Sequence, residues 1–410
     1  MGKTNRKKEP PVRPVQKIEL RDENNKGKII LVILLLFVGL GSIGYGMYTA
    51  FSTEKGWREI QANNTEEMNC SEDFAFVYNV GATGESPTAE NKIITNLYSD
   101  LTVEAYKIFT SDMGYEDVNN IYYLNQHPNE VVVVPDALYD AFELLESYKN
   151  RNIYLAPIYM YYDDIFFCKE DYETIDFDPY VNEEIEQYYL EIVSYANNPE
   201  EISIELLGNN TVRLAVSENY ISFANENEIT QFIDLHWMRN AFVTDYLAEN
   251  LIGKGYTLGS ISSYDGFSRC LDDSEETYAL NIYDRSEESF VHVGTMNYTG
   301  RKSIVNLRSF AIHQKDLGRI YELKNGEVRT SYLDSADGKC KQSLDTLISY
   351  SDEKNCAETL LNMLPVFIAE EFNESSISNG NYVYCKDGMI YYNEDSIELS
   401  EAFYPISFIE

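Results

Sequence analysis

Three stretches of this chain place acids, amides and aromatic residues at spacings that suit ligand or metal chemistry. The first is Asn119-Asn120-Ile-Tyr-Tyr-Leu124-Asn125, a polar turn after a helical segment. The second joins an apolar run that ends at Asp234 to a helix carrying Asp245, with Asn240 just ahead of it. A strand follows closely and ends in Tyr264-Asp265-Gly266. The third is Ser331-Tyr-Leu-Asp334-Ser-Ala-Asp-Gly338, followed by a helix start bearing Glu358 and Asn362. Residues four apart on a helix share a face, so Glu358 and Asn362 can converge on one ligand. Each stretch also has an ordinary structural reading: a strand-end turn, a solvated helix residue, or an acid favoured in a helix's first turn.

Several other chemistries find little support in the residues. No G-x-S-x-G is present, and His127, His236, His292 and His313 accompany no recognisable nucleophile motif. No C-x-x-C occurs, which makes a zinc site improbable. The acid clusters Asp163-Asp164 and Asp176-Phe-Asp178 lack the loop pattern of an EF-hand. The six cysteines (Cys70, Cys168, Cys270, Cys340, Cys356, Cys385) permit disulfides in an oxidising compartment, and buried free thiols are the alternative.

Alternating apolar residues predict strands at 74–80, 131–134, 278–283 and 303–310, and three more between 202 and 223. Helical spacing predicts helices over Thr88–Thr110, 136–148, Asn182–Ala196, 241–252 and Cys356–Phe372. The βα spacing is not constant, so the pattern reads as α+β rather than a doubly wound sheet.

In order and spacing these segments resemble the ApbE-type FAD:protein FMN transferases, over residues 73–372. Tyr123-Leu124-Asn125 is similar to an early "LN" motif. Asp234 through Asp245 keeps the eleven-residue Asp-to-Asp spacing of DLGGIAKGYAVD. Ser331 to Gly338 is similar to HIIDPxTG, and Ala357-Glu358-Thr359-Leu360 to the ADAL helix. The resemblance implies an exported α+β domain that uses FAD and Mg²⁺ to move FMN onto a Thr or Ser of an exported flavoprotein acceptor. It further implies flavin-binding roles for Asn125, Asp234, Asn240, Asp245, Tyr264, Asp265 and Ser331, catalytic roles for Asp334 and Glu358, and Mg²⁺ ligation by Glu358 and Asn362.

The departures bear on activity. His236-Trp237 stands where the family has Gly-Gly, and Asn240-Ala241 where it has Lys-Gly. Large side chains reshape a backbone that glycines would let approach a dinucleotide. Loss of the lysine removes a cation suited to pyrophosphate. Ser331 replaces the His of HIIDP and Ser335 its Pro. A longer carboxylate at Glu358 with an amide at Asn362 is a poor substitute where Mg²⁺ demands octahedral oxygen geometry. The expectation is a scaffold kept and a transfer chemistry mostly lost, leaving a binding or accessory module. Two readings stay beside it: an active transferase with a divergent site, and an acidic surface protein that binds Ca²⁺ or glycans.

Charge sets the expected topology. The 410-residue chain carries −36, unevenly placed. Residues 1–28 hold nine basic and four acidic residues, a balance of +5, which leaves −41 on the remainder. Residues 29–51 form an uncharged run of 23, long enough to span the roughly 30 Å hydrocarbon core. Basic residues before the run put the N-terminus in the cytoplasm and the acidic part outside the cell membrane, as a single-pass signal anchor. The expected order is a tail (1–28), a transmembrane span (29–51), a stalk (52–72), the ApbE-like domain (73–372) and a C-terminal extension (373–410). So acidic a domain repels nucleic acid.

Overall fold

The structure is a computed structural model. It describes residues 53–409 except 64, 65, 85, 169–171, 173, 287 and 288, and not the side chains of 378 and 379. The expected cytoplasmic tail and membrane span lie outside the described residues. Among the described residues no helix is long and apolar enough to cross a membrane.

Nine strands form the main sheet, and their spatial order is their order in the chain. They are Gly56–Ile60, Phe74–Val80, Gly259–Ser263, Phe267–Cys270, Lys302–Arg308, Thr346–Ser351, Asn381–Lys386, Met389–Tyr392 and Ile406–Phe408. Every neighbouring pair is antiparallel except the last. An antiparallel sheet with separate helices is the α+β arrangement expected from the sequence.

Phe74–Val80 shows why these residues make a strand. Phe74, Phe76, Tyr78 and Val80 are buried and the intervening residues are half-exposed, the period-two signature of a sheet with one covered face. Lys302–Arg308 is buried at every position because both faces are covered there. Val305 and Leu307 face the core beneath the helices. Ile304 joins a smaller apolar cluster with Ile282, Val293 and Met296 of the hairpin Thr277–Arg285 and Phe290–Thr299. Helices Pro87–Phe109, Arg239–Gly253 and Cys356–Phe367 pack on the first face. A second three-stranded sheet, from Val131–Val133, Thr211–Val216 and Ile202–Gly208, lies beside the helix Asp136–Ser147.

Three expectations change. The segment 220–223, expected as a strand, belongs to the helix Glu218–Glu226. Ser217 caps it by accepting from the Tyr220 amide, and Tyr220, Phe223 and Ala224 recur at helical spacing to bury one face. The helix from Cys356 ends at Phe367 rather than Phe372, two residues after Pro365. Gly56–Ile60, read as stalk, and the strands after 381, read as an extension, are both part of the main sheet. Pairing partners far away in the chain decide these placements, and no local pattern reports them.

All six cysteines are free, and all but Cys168 are buried. Burial pushes the Cys70 thiol up to about 12 and Cys270 up to about 11, so both behave as apolar packing groups.

Candidate functional site

Asn125 anchors the loop that opens the site. Its side-chain oxygen accepts from the amides of Phe232 and Ile233, and its Nδ2 donates to the Ile233 carbonyl. The Asp234 amide then donates to the Ile153 carbonyl. Asp234 Oδ1 accepts from the His236 amide at 2.8 Å, and His236 turns through φ 46° into the helix Arg239–Gly253. This is a left-handed conformation at a non-glycine residue, which costs roughly 1 kcal/mol or more.

The His236 side chain is held from two sides. Its ring stacks on Tyr159 with centroids 4.0 Å apart, and Nε2 lies 2.9 Å from Asp163 Oδ2. Burial opposes its protonation, but the Asp163 carboxylate outweighs this and raises the imidazole above its ordinary value. The bulk at His236 therefore folds against Tyr159 and becomes the cleft wall.

Opposite it, Tyr264 and Asp265 occupy the turn between Gly259–Ser263 and Phe267–Cys270. Asn240 Nδ2 donates to Asp265 Oδ2 at 2.9 Å, which ties the helix start to this turn. Gly266 is obligatory here. Its φ is 108°, and a Cβ would meet the Asn306 carbonyl oxygen at 2.1 Å. Burial raises Asp234 and Asp265 above the usual carboxylate range, against the pull of His236 and Arg319 respectively.

The sequence singled out five residues that the fold brings to one cleft of about 540 Å³: Asp234, Asn240, Tyr264, Asp265 and Ser331. It missed the cleft's basic residues. Arg319 donates to Asp316 and to the carbonyls of Asp265 and Tyr264. Burial works to raise Asp316, but Arg319 and Arg308 hold it below the usual carboxylate range. Arg239 and Lys315 flank Asp73 at 3.7 and 3.8 Å, and the Lys315 ammonium also sits over the Tyr264 ring. Six carboxylates and three such cations line the cleft, and each cation is committed to the protein's own oxygens. His313 to Arg319 form a single 3₁₀ turn, too short for a periodic signal.

The other candidates lie elsewhere. Asn125 is structural, as described. Asp245 lies within the helix Arg239–Gly253 and caps the last helix, accepting from the amides of Cys356 and Ala357 and from Arg269, all at 2.8 Å. Asp334 pairs with Lys341 at 2.9 Å and closes the turn to Gly338. Glu358 accepts from the Tyr148 hydroxyl at 3.2 Å with Lys354 at 3.8 Å. The Asn362 amide lies against Gly380. Asp334 and Glu358 therefore do not line the cleft.

These positions test the implied groups. An ammonium stands against Asp334, and a hydroxyl and an ammonium against Glu358. Among the described residues no three His, Cys, Asp or Glu side chains form a metal cluster. The residues at Glu358 and Asn362 do not fit Mg²⁺, and no step is routed through it. For FAD, the aromatic wall of Tyr159, His236, Trp237 and Tyr264 fits a flat ring, whereas the committed cations do not fit a diphosphate.

No family model and no curated protein matches this chain. Solved structures do. An ApbE protein from Thermotoga maritima superposes with a TM-score of 0.53 at 11% identity, covering 84% of this chain and 97% of that one. The flavin transferase ApbE from Vibrio cholerae gives a TM-score of 0.52 at 11% identity, covering 85% and 98%. The described chain thus has a mixed α and β fold resembling that of ApbE proteins.

Proposed function

We propose that this is a membrane-anchored, extracytoplasmic protein on a flavin-transferase scaffold, which binds a ligand in the cleft and does not transfer FMN. One observation carries the reading. The carboxylates expected to do the chemistry, Asp334 and Glu358, are engaged with Lys341 and with Tyr148 and Lys354, away from the cleft. The scaffold likeness supplies the flavin context. The +5 and −41 segments flanking an uncharged run support the anchor and its orientation.

The cleft does what its side chains permit. The half-exposed Tyr264 and the His236 ring backed by Tyr159 give the wall aromatic surface, and Asn240 and Asp265 orient polar edges. With each cation tied to a carboxylate or carbonyl, transition-state charge at a pyrophosphate would find no preorganised partner. The test incubates the full chain with FAD, Mg²⁺ and candidate exported acceptors and reads acceptor mass. Unmodified acceptors are expected. Covalent flavin together with AMP release would replace this reading with that of a divergent, active transferase.

A further inference from the structure

The cleft also indicates what it takes, given the reading above that it binds without transfer. Among the side-chain atoms of its wall that are buried with no hydrogen-bond partner within the protein are three acceptors, Asn240 Oδ1, Asp163 Oδ1 and Asp265 Oδ1, the Ser331 hydroxyl and the Trp237 indole N–H. Asn240 is 9% exposed and Ser331 1%. An amide oxygen and ionised carboxylate oxygens only accept, while a serine hydroxyl does both. A buried acceptor left unpaired costs about 1–3 kcal/mol. The wall is therefore completed by a molecule that brings hydroxyl groups, which donate to these acceptors and can accept from Trp237.

The charges point the same way. Arg239 and Lys315 lie against Asp73, and Arg319 is spent on Asp316 and two carbonyls. A phosphate that recruited Arg239 or Lys315 would compete with Asp73, a partly exposed carboxylate 3.7 and 3.8 Å from them. It would also meet the field of six lining carboxylates, which is the larger obstacle. The aromatic side chains give a flat ring a surface, and about 540 Å³ lies within the usual range of roughly 300–1,000 Å³ for small-molecule sites.

We propose that the cleft binds an uncharged, hydroxyl-rich ligand carrying a flat aromatic ring, of about the size of riboflavin, and discriminates against its phosphorylated forms. Riboflavin, FMN and FAD form a controlled probe series, because they share the ring and differ in phosphate. The experiment titrates the full chain with each at low salt and follows quenching of flavin fluorescence. Riboflavin is expected to bind about tenfold or more tighter than FMN, a difference of about 1.4 kcal/mol or more. Added salt narrows that gap by screening.

Two variants report the cause. D73N removes one carboxylate from beside Arg239 and Lys315 and is expected to narrow the ratio of riboflavin to FMN affinity severalfold. S331A is expected to weaken riboflavin severalfold with little change in melting temperature. FMN or FAD binding as tightly as riboflavin overturns the proposal, and so does failure of riboflavin to bind at millimolar concentration. Covalent flavin on an acceptor, read by mass, overturns the functional reading. The order of the three affinities is a separate readout.

Discussion

His236 Nε2 lies 2.9 Å from Asp163 Oδ2 while the His236 backbone sits at φ 46°. A histidine thus holds a left-handed turn, and the ion pair and the Tyr159 stack anchor it there. The Asp234 turn and the helix that follows constrain the chain on both sides.

The two sources of cost at this position separate by mutation. H236A loses the Asp163 and Tyr159 contacts and keeps the left-handed strain, whereas H236G loses the contacts and relieves the strain. H236G is expected to be more stable than H236A by about 1 kcal/mol in urea unfolding. Equal stabilities would show that the turn opens in the variants.

Stability also depends on pH through His236. Its folded value is raised above the ordinary 6.5. The folded protein therefore holds the proton more tightly, and this stabilisation is complete below pH 6.5 and lost as pH rises through the folded value. The urea midpoint is expected to fall across that window in the native chain and to fall less in D163N. An identical slope in the two would assign the titration to another group.

Asp284 acts with the same sign at lower pH. Burial, with Asp345 nearby, raises its carboxyl to about 6. Between about pH 4 and 6 the folded state binds a proton that the unfolded state has released, so stability falls as pH rises there. D284N is expected to flatten this slope and to gain roughly 1 kcal/mol at neutral pH, allowing for solvent near the group. A steeper slope in D284N would reverse the assignment.

Asp245 is expected to be a stability residue. D245A leaves Arg269 without its buried partner and two helix-start amides without an acceptor, at a cost of about 3–5 kcal/mol. D245N, with one oxygen kept, costs less. Riboflavin affinity of folded D245N is expected to match the native chain, and a large loss would place Asp245 in the binding machinery.

Glu358 and Asp334 provide the converse test. E358Q and D334N remove partly exposed pairs worth about 1 kcal/mol or less. Neither is expected to change flavin binding or any Mg²⁺-dependent shift in melting temperature. A Mg²⁺ stabilisation abolished by E358Q would revive the metal role read from the sequence.

How much was legible can be stated residue by residue. The strand Phe74–Val80 and the helix over 88–109 carry clean periodicities of two and 3.6 residues, and both formed where expected. The segment 220–223 did not, because four residues with two apolar ends satisfy either period until Ser217 supplies a cap. The even spacing from Asp234 to Asp245 suggested one site. Asp234 lies in the turn before the helix and Asp245 about two turns into it, so one lines the cleft while the other caps a neighbouring helix.

The sequence by itself determined the charge asymmetry, the uncharged run of 23 and the α+β character. Each of these is a local property of composition or short-range spacing. The tertiary structure alone decided that Asp73, Asp163 and Asp316 lie beside Arg239, His236 and Arg319, and that Asp334 and Glu358 stay outside. Those pairs join residues on separate elements, or within one short turn, and their Coulomb and desolvation energies depend on distance and burial in the folded state. No spacing along the chain encodes that distance.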